Sequence, residues 1–315
     1  MSNDPIVTVV IPTRNRCDWL KETVASVCSQ TLKEWELIIV DDASTDDTWP
    51  WVNSLADSRI RPVRLNEHSE RTRARNAGLA AARGPFILFL DDDDLLPERA
   101  LEAHHAALAT YSDAVASFGG YTLFGEPGWS KTVRIVRRQE LRYVWNDVLF
   151  GWTPVSGHTM LRTESVRSAD GWDGRYIPIE DHVMWLRILR SRPVAVLPDS
   201  VLFYRVHGGQ WRPPNYYEMM NDVREKAVAR IEGKERQSAE RILRARYLFQ
   251  AASAHYARAE MVKAFSLYLQ AFAAAPNLIR SPLSRSMLLQ PAATRARKAS
   301  RIVLRRLFSF RKSAA

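Results

Sequence analysis

The chain has 315 residues, 46% of them hydrophobic and 25% charged, a composition that supports an ordinary globular core. Its two cysteines, Cys17 and Cys28, do not indicate a disulfide framework and predict a reducing compartment. The sequence contains no run of about 18–20 apolar residues, and residues 1–5 lack the pattern of a secretory signal. A cytoplasmic protein is therefore expected.

Positive charge is concentrated at the C-terminal end. The formal net charge is +10, and the segment 281–315 holds nine Lys or Arg residues and no Asp or Glu, so the rest of the chain is nearly neutral. Apolar residues such as Leu304 and Phe308 lie among these basic ones. This pattern is typical of an amphipathic helix on an anionic membrane surface, and a disordered basic tail is the alternative.

Short β-branched runs alternate with helical patterns along the first hundred residues. Strands are predicted over 6–11, 37–40, 61–65 and 86–90, and helices over 19–30, about 45–55, 73–82 and 101–112. This alternation predicts an α/β fold, a doubly wound and mostly parallel sheet with helices on both faces. Such sheets bind ligands beyond the carboxyl ends of their strands.

The second half of the sequence changes character. Residues from about 114 to 207 mix strands, loops and helices, and a helical hairpin is predicted over 241–274. We therefore predict an α/β domain over 1–212, a helical appendage over 213–280 and a basic amphipathic or disordered tail over 281–315. The helices of the appendage could mediate a homodimer.

Four consecutive aspartates, Asp91–Asp94, follow the fourth predicted strand. Their mutual repulsion at the end of a buried strand is costly unless a cation offsets it. Mg²⁺ and Mn²⁺ take carboxylate oxygens and leave positions for substrate phosphates. The run therefore predicts a divalent-cation site, with a solvated acidic turn that caps the next helix as the alternative.

Polar residues also follow the first two predicted strands. Residues 12–16 read Pro-Thr-Arg-Asn-Arg, and Asp41 and Asp42 end the second strand. A carboxylate there can accept a hydrogen bond from a base N–H or a ribose hydroxyl, or can simply cap a helix. Because the carboxyl ends of parallel strands meet at one edge of a sheet, these clusters should lie beside Asp91–Asp94.

Arginines and a histidine form two further candidates. Arg71, Arg73 and Arg75 fall within five residues, and guanidinium groups suit phosphates, although a solvated basic face is the alternative. His207 precedes a pair of glycines and could close over a pyrophosphate, or belong to a simple turn.

The last candidate is an acidic pair, Glu180 and Asp181, at the start of an amphipathic helical pattern. A carboxylate here can act as a general base toward an acceptor hydroxyl. Acidic residues are also favoured at any helix N-terminus, so the pair alone does not decide between the two.

Together these segments resemble family 2 of the glycosyltransferases, a group with the GT-A fold. The matching pieces stand in the family's order at 10–15 (VIPTRN), 40–46 (VDDASTD), 74–78 (ARNAG), 89–94 (FLDDDD), 171–173 (GWD) and 180–187 (EDHVMWLR). The resemblance covers about residues 5–210, and the ordered set is far more specific than any single piece.

The resemblance implies roles for individual positions. Contacts with a nucleotide sugar are implied for Pro12, Thr13, Arg14, Asp41, Asp42, Arg75, Asp91 and Asp92. The implied metal ligands are Asp93, Asp91 and His207, and the implied catalytic residues are Asp181, as the base, and Glu180.

The reaction implied by the resemblance is an inverting single displacement. A sugar passes from a nucleotide diphosphate donor, UDP being the commonest in the family, to a hydroxyl of a glycan or lipid-linked acceptor in cell-envelope polysaccharide synthesis. Mn²⁺ or Mg²⁺ is the implied cofactor. The basic tail would hold the protein peripherally at the inner face of the membrane, and no nucleic-acid partner is expected.

Three other functions are compatible with parts of the sequence. A sugar nucleotidyltransferase also uses aspartates and a divalent ion, but its Gly-rich N-terminal loop has no counterpart in residues 12–16. Nucleic-acid binding would use the basic tail alone. A non-catalytic sugar-binding protein is disfavoured by the intact set of Asp91, Asp93 and Asp181.

Overall fold

The computed structural model describes residues 4–125, 129–208, 214–279 and 281. Beyond Ser281, the predicted basic tail lies outside the described residues. Within the described ranges, no helix is both long and apolar enough to cross a membrane.

The N-terminal half alternates strands and helices, as the sequence predicts. Its elements are β1 (Val7–Thr13), α1 (Cys17–Cys28), β2 (Trp35–Asp41), α2 (Thr48–Asn53), β3 (Ile60–Arg64), α3 (Glu70–Ala81), β4 (Phe86–Phe89) and α4 (Ala100–Thr110). The helix α2 is shorter than predicted because residues before it are bonded into a loop: the Ser44 backbone N–H donates to Asp41 Oδ2, and that of Thr45 to Asn15 Oδ1.

The second half completes the sheet and adds the C-terminal helices. Its elements are β5 (Ala116–Phe124), β6 (Lys131–Val133), β7 (Glu140–Arg142), α5 (Trp145–Phe150), β8 (Thr159–Arg162), α6 (Thr163–Arg167), α7 (Glu180–Ile188), β9 (Val194–Arg205), α8 (Tyr216–Ala229), α9 (Gly233–Ala257) and α10 (Met261–Ala274). A short 3₁₀ helix, Ser156–His158, precedes β8.

The described strands form one sheet of nine strands in the order β3-β2-β1-β4-β8-β5-β9-β7, with β6 paired to β5. The first four strands are parallel, which confirms the α/β prediction. Strand β8 runs antiparallel to β4 and β5, and β9 returns parallel to β5. The carboxyl ends of β1, β2, β4 and β9 therefore lie at the same edge.

The core of the parallel half is continuous and apolar. All seven residues of β2 are buried, and so are six of the seven residues of β1. Helix α3 packs closely on this layer at Gly78, where an added Cβ would lie 2.3 Å from Cγ1 of Val10. Packing therefore requires the glycine of the ARNAG segment, because the absence of a side chain at this position lets α3 lie close to the sheet.

The chain divides into two compact units. Met1–Val148 with Thr153–Arg230 form the first, and Leu149–Trp152 with the described residues from Ile231 onward form the second. In the second unit, α9 and α10 form the predicted hairpin, and α9 begins earlier than the sequence pattern indicates. The ring of Tyr268 lies 5.3 Å from that of Phe249.

Candidate active site

The loops after β1 and β2 are bonded to each other at the sheet edge. The Asn15 backbone N–H donates to Ser44 Oγ at 3.0 Å, and the Asp42 backbone N–H donates to the Thr13 carbonyl at 2.9 Å. In the parallel register, Pro12 pairs with Val40. The two loops thus form one wall, with Pro12 partly buried at its base.

The two aspartates at the end of β2 have different surroundings. Asp42 is satisfied by protein groups, since its Oδ2 lies 2.6 Å from His68 Nδ1 and its Oδ1 accepts from the Ser69 backbone N–H at 2.7 Å. Asp41 is fully buried, and its Oδ1 has no hydrogen-bond partner within the described part of the chain. An unsatisfied buried carboxylate oxygen is costly, so Asp41 is the better acceptor for a ligand N–H or hydroxyl.

The four aspartates after β4 divide between four different environments. Asp91 Oδ1 accepts from Arg75 at 2.6 Å, and Asp92 Oδ2 accepts from the Thr13 hydroxyl at 2.8 Å. Asp93 Oδ2 lies 2.9 Å from His207 Nε2, and Asp94 Oδ1 accepts from the backbone N–H of Arg205 at 2.8 Å. These four residues are therefore not equivalent candidates.

Burial disfavours the ionised form of two carboxyl groups in this acidic run. It raises the pKa of Asp92 to about 6, against the opposing charge of Arg16. Burial also raises the pKa of Asp94 well above its usual range, and the charge of Asp91 adds to this effect. The site thus favours additional positive charge when all four carboxylates are ionised.

The predicted metal ligands are only partly brought together. Asp93 and His207 are in contact, but Asp91 points instead to Arg75. Among the described residues, no group of three or more His, Cys, Asp or Glu side chains is arranged to hold a metal ion. A carboxylate oxygen and an imidazole nitrogen at 2.9 Å nevertheless fit two ligands of a divalent cation whose other positions belong to water and substrate phosphates.

Arg75 connects the acidic run to helix α7. Its side chain is only 3% exposed, and its guanidinium lies 2.6 Å from Asp91, 3.4 Å from Glu180 and 3.3 Å from Asp181. The guanidinium also lies over the Trp172 ring, 4.4 Å from its centre. Burial alone would lower the pKa of Arg75, but the surrounding carboxylates raise it, so the residue remains a cation.

The two carboxylates at the start of α7 differ in accessibility. Glu180 is 2% exposed, and its Oε1 lies 2.5 Å from Arg71 Nε. Asp181 keeps 30% of its side chain exposed and accepts from the Ser156 hydroxyl at 3.3 Å. Partial burial raises the pKa of Asp181 to about 6, Arg75 opposes the rise, and the charge of Glu180 adds to it.

The GWD segment has a supporting role. The side-chain amide of Asn76 bonds both the carbonyl and the N–H of Trp172, at 2.8 and 2.9 Å. Gly171 has φ of 61°, and an added Cβ would lie 2.5 Å from Asn76 Oδ1. Asp173 binds Arg187 at 2.8 Å, which secures the loop to α7. The segment thus supports α3 and α7 through these contacts.

Two residues of the site have no role in the sequence-based prediction, although one of them, Arg16, belongs to the polar cluster expected at this edge. Arg16 bonds both Asp92 and Asp93, at 3.0 and 2.7 Å, and Ser156 contacts Asp181. The arginine stands in the same polar segment as Pro12, so its position after β1 was a usable signal. Arg14, predicted to contact the nucleotide sugar, is an exposed residue of the same loop.

The sheet, with its acidic residues at the carboxyl ends of the strands, has a GT-A-like fold. The model of the glycosyl transferase family 2 matches residues 8–166, just over half of the chain, and the chain belongs to that family. This membership makes it an enzyme of the glycosyltransferase class and sets aside the nucleotidyltransferase and non-catalytic alternatives.

Two curated relatives illustrate the similarity. The chain is 29% identical over 217 residues to WfaP of Escherichia coli, a UDP-Glc:alpha-D-GlcNAc-diphosphoundecaprenol beta-1,3-glucosyltransferase, a match spanning 68% of this chain and 83% of WfaP. It is 40% identical over 126 residues to the putative teichuronic acid biosynthesis glycosyltransferase TuaG of Bacillus subtilis, spanning 39% of this chain and 50% of TuaG.

The fold is also that of a solved structure. The crystal structure of S. aureus TarS 1–349 in complex with UDP-GlcNAc superposes with a TM-score of 0.66, covering 90% of this chain and 88% of TarS 1–349. At 18% sequence identity, this likeness establishes the shared fold alone.

Proposed function

We propose that this glycosyltransferase moves a sugar from a UDP-sugar to a hydroxyl of a lipid-linked glycan, with inversion, in cell-envelope polysaccharide synthesis. The proposal is carried by two observations. Asp41 and Asp93 lie at or just after the ends of parallel strands that reach the same edge of the sheet, and Asp181 shares the guanidinium of Arg75 with Asp91. The named activity of WfaP, which uses UDP-glucose and a lipid diphosphate acceptor, supports the donor and acceptor classes.

The donor's nucleoside would bind at the end of β2. The unpaired Oδ1 of buried Asp41 would accept from the base N–H or from a ribose hydroxyl. Pro12 and Thr13 line the same edge, and Arg14 supplies an exposed positive charge on the adjoining loop. Asp42 would hold the loop through His68.

The diphosphate would lie toward Asp93 and His207. A divalent cation held by these two residues would supply positive charge to the leaving diphosphate. Arg75 is almost fully buried, so it would not contact the diphosphate. It would instead hold the carboxylates of Asp91 and Asp181 in position.

The chemical step would use Asp181 as the base. Its partly exposed carboxylate would take the proton of the acceptor hydroxyl while that oxygen forms a bond to the anomeric carbon. The bond from the anomeric carbon to the UDP oxygen breaks on the opposite face, and UDP leaves. The Ser156 hydroxyl would orient the carboxylate through Oδ2.

Incubating the full-length protein with a panel of UDP-sugars, Mn²⁺ and a synthetic GlcNAc-diphospholipid tests the proposal. We expect acceptor-dependent UDP release with one donor and a β-linked product from an α-linked donor. Retention of the donor's anomeric configuration would contradict the single displacement. Failure of every UDP-sugar to bind would contradict the donor assignment.

The pH dependence of kcat/KM offers a second test. Because Asp181 must be ionised to accept a proton and its pKa is raised to about 6, kcat/KM should fall as the pH drops through about 6. An ordinary aspartate would keep the activity constant until a much lower pH. A profile that stays level down to about pH 5 would contradict a raised pKa for Asp181 and leave its role as the base to be tested by substitution.

If the acceptor is lipid-linked, the basic tail would serve to bring the enzyme to the membrane that holds it. Residues 281–315 carry nine positive charges, which would attract the protein to the anionic membrane that holds the acceptor. Peripheral membrane binding and a homodimer through the C-terminal helices remain part of this proposal.

A further inference from the structure

Arg16 precedes α1 and lies directly on the candidate cation site. Its Nη1 donates to Asp93 Oδ2 at 2.7 Å and to Asp92 Oδ1 at 3.0 Å. The same Oδ2 of Asp93 lies 2.9 Å from Nε2 of His207. The guanidinium therefore uses the carboxylate oxygen that a divalent cation would need.

A cation and this guanidinium would compete for Asp93. Neighbouring ligands of an octahedral ion lie about 3 Å apart when each metal–ligand distance is about 2.1 Å. The 2.9 Å between Asp93 Oδ2 and His207 Nε2 fits that arrangement. A guanidinium 2.7 Å from the same oxygen would then face a doubly charged ion at close range, and like charges repel.

We propose that Arg16 is a built-in counter-cation, which offsets part of the negative charge of Asp92 and Asp93 in the donor-free protein and must leave Asp93 when a divalent cation binds. The proposal rests on the assignment of Asp93 and His207 made above. It explains how the acidic run is tolerated before substrate arrives, because a paired carboxylate avoids the repulsion that four adjacent aspartates would otherwise suffer.

Arg16 has room to move. Its side chain is 36% exposed, so its release requires no unfolding of the core. A cavity of about 450 Å³ adjoins it, and three acidic residues, Asp18, Asp46 and Asp47, are among those that line this cavity. A displaced guanidinium can therefore find replacement negative charge nearby, or turn to the diphosphate of an arriving donor.

Displacement of Arg16 would link the cation to the donor. A cation alone must break the contacts of Arg16 with Asp93, whereas a donor diphosphate brings negative charge that stabilises both the cation and the released guanidinium. Cation and donor should therefore bind more tightly together than separately, and by the same factor in either order.

The test is the affinity of the donor-free, full-length protein for Mn²⁺, measured from the loss of the free-ion electron paramagnetic resonance signal. We expect Arg16→Gln to bind Mn²⁺ about tenfold more tightly than the unmodified protein, since one charge-assisted contact no longer competes. Lys21→Gln is the matched control. It removes one positive charge from the same cavity wall, where Lys21 pairs with Asp18, and should change the affinity by less than about twofold.

The direction in which Arg16→Gln changes the affinity for Mn²⁺ decides between this proposal and a structural role for Arg16. If Arg16 merely held Asp93 in place, Arg16→Gln would weaken Mn²⁺ binding, and weaker or equal binding by a folded variant overturns the proposal. Thermal unfolding followed by circular dichroism establishes that the variant is folded. If no form of the protein, Arg16→Gln included, binds Mn²⁺, both this proposal and the Asp93–His207 assignment fail. UDP-sugar binding and UDP release then still report separately on the transferase activity.

Discussion

Replacement of Asp181 by asparagine is expected to lower kcat by about 10²–10⁴-fold, the contribution typical of a positioned general base. Asparagine keeps the shape of the side chain and an oxygen that can face Arg75, but its amide cannot take a proton from the acceptor. Donor binding should remain within a few fold, because Asp181 lies at the start of α7 while the proposed nucleoside site lies at the end of β2. Steady-state kinetics and calorimetric titration with UDP measure the two effects.

Glu180→Gln is the matched control for this variant. It makes the same chemical change one residue away, in a side chain that is 2% exposed and held by Arg71 and Arg75. A carboxylate enclosed in this way is poorly placed to reach an acceptor hydroxyl, so kcat should fall by less than about tenfold. The reverse order of effects would assign the base to Glu180.

The parallel half of the fold could be predicted because its signals are local. The β-branched run at 6–11 ends at Pro12, the apolar run at 86–90 ends at the aspartates, and both form strands buried in the sheet. The second half could not be predicted in the same detail. There β5 pairs parallel with β9, whose residues lie some 80 positions later, and this pairing leaves no mark on either segment alone.

The position of the candidate site was predictable from the sequence, but the contacts that each aspartate makes within it were not. The rule for strand ends brought Asp41, Asp91 and their neighbours to one edge. The partner of each aspartate depends on residues far away in the sequence: His207 lies 114 positions from Asp93, and Arg16 lies 77 positions from it. Such contacts come from tertiary packing, which spacing along the chain does not encode.

Arg75 shows most clearly how tertiary context alters a role. The sequence predicts an arginine beside the nucleotide, since guanidinium groups suit phosphates. The structure encloses Arg75 among three carboxylates and beneath an indole ring, with 3% of its side chain exposed. As a protein cation that offsets carboxylates, it determines where Asp91, Glu180 and Asp181 can lie.

Replacement of Arg75 by methionine is therefore expected to lower the free energy of unfolding by about 3–5 kcal/mol at neutral pH, the range seen when one partner of a buried ion pair is removed. Methionine fills much of the same volume, so the loss would report the unpaired carboxylates more than a cavity. Arg73→Met is the control, because the side chain of Arg73 is 63% exposed and pairs with that of Glu67, which is 76% exposed. Its effect should stay within about 0.5 kcal/mol.

The pH dependence of this loss separates charge from packing. Without Arg75, the pKa of Asp181 in the folded protein should rise further above its unfolded value, so the folded variant binds more protons than the unfolded chain. Stability then increases as the pH falls through that raised pKa. Urea unfolding at about pH 8 and about pH 5.5 should consequently show a smaller difference between Arg75→Met and the unmodified protein at the lower pH. An equal difference at both values would mean that Arg75 acts through packing rather than through the carboxylates around it.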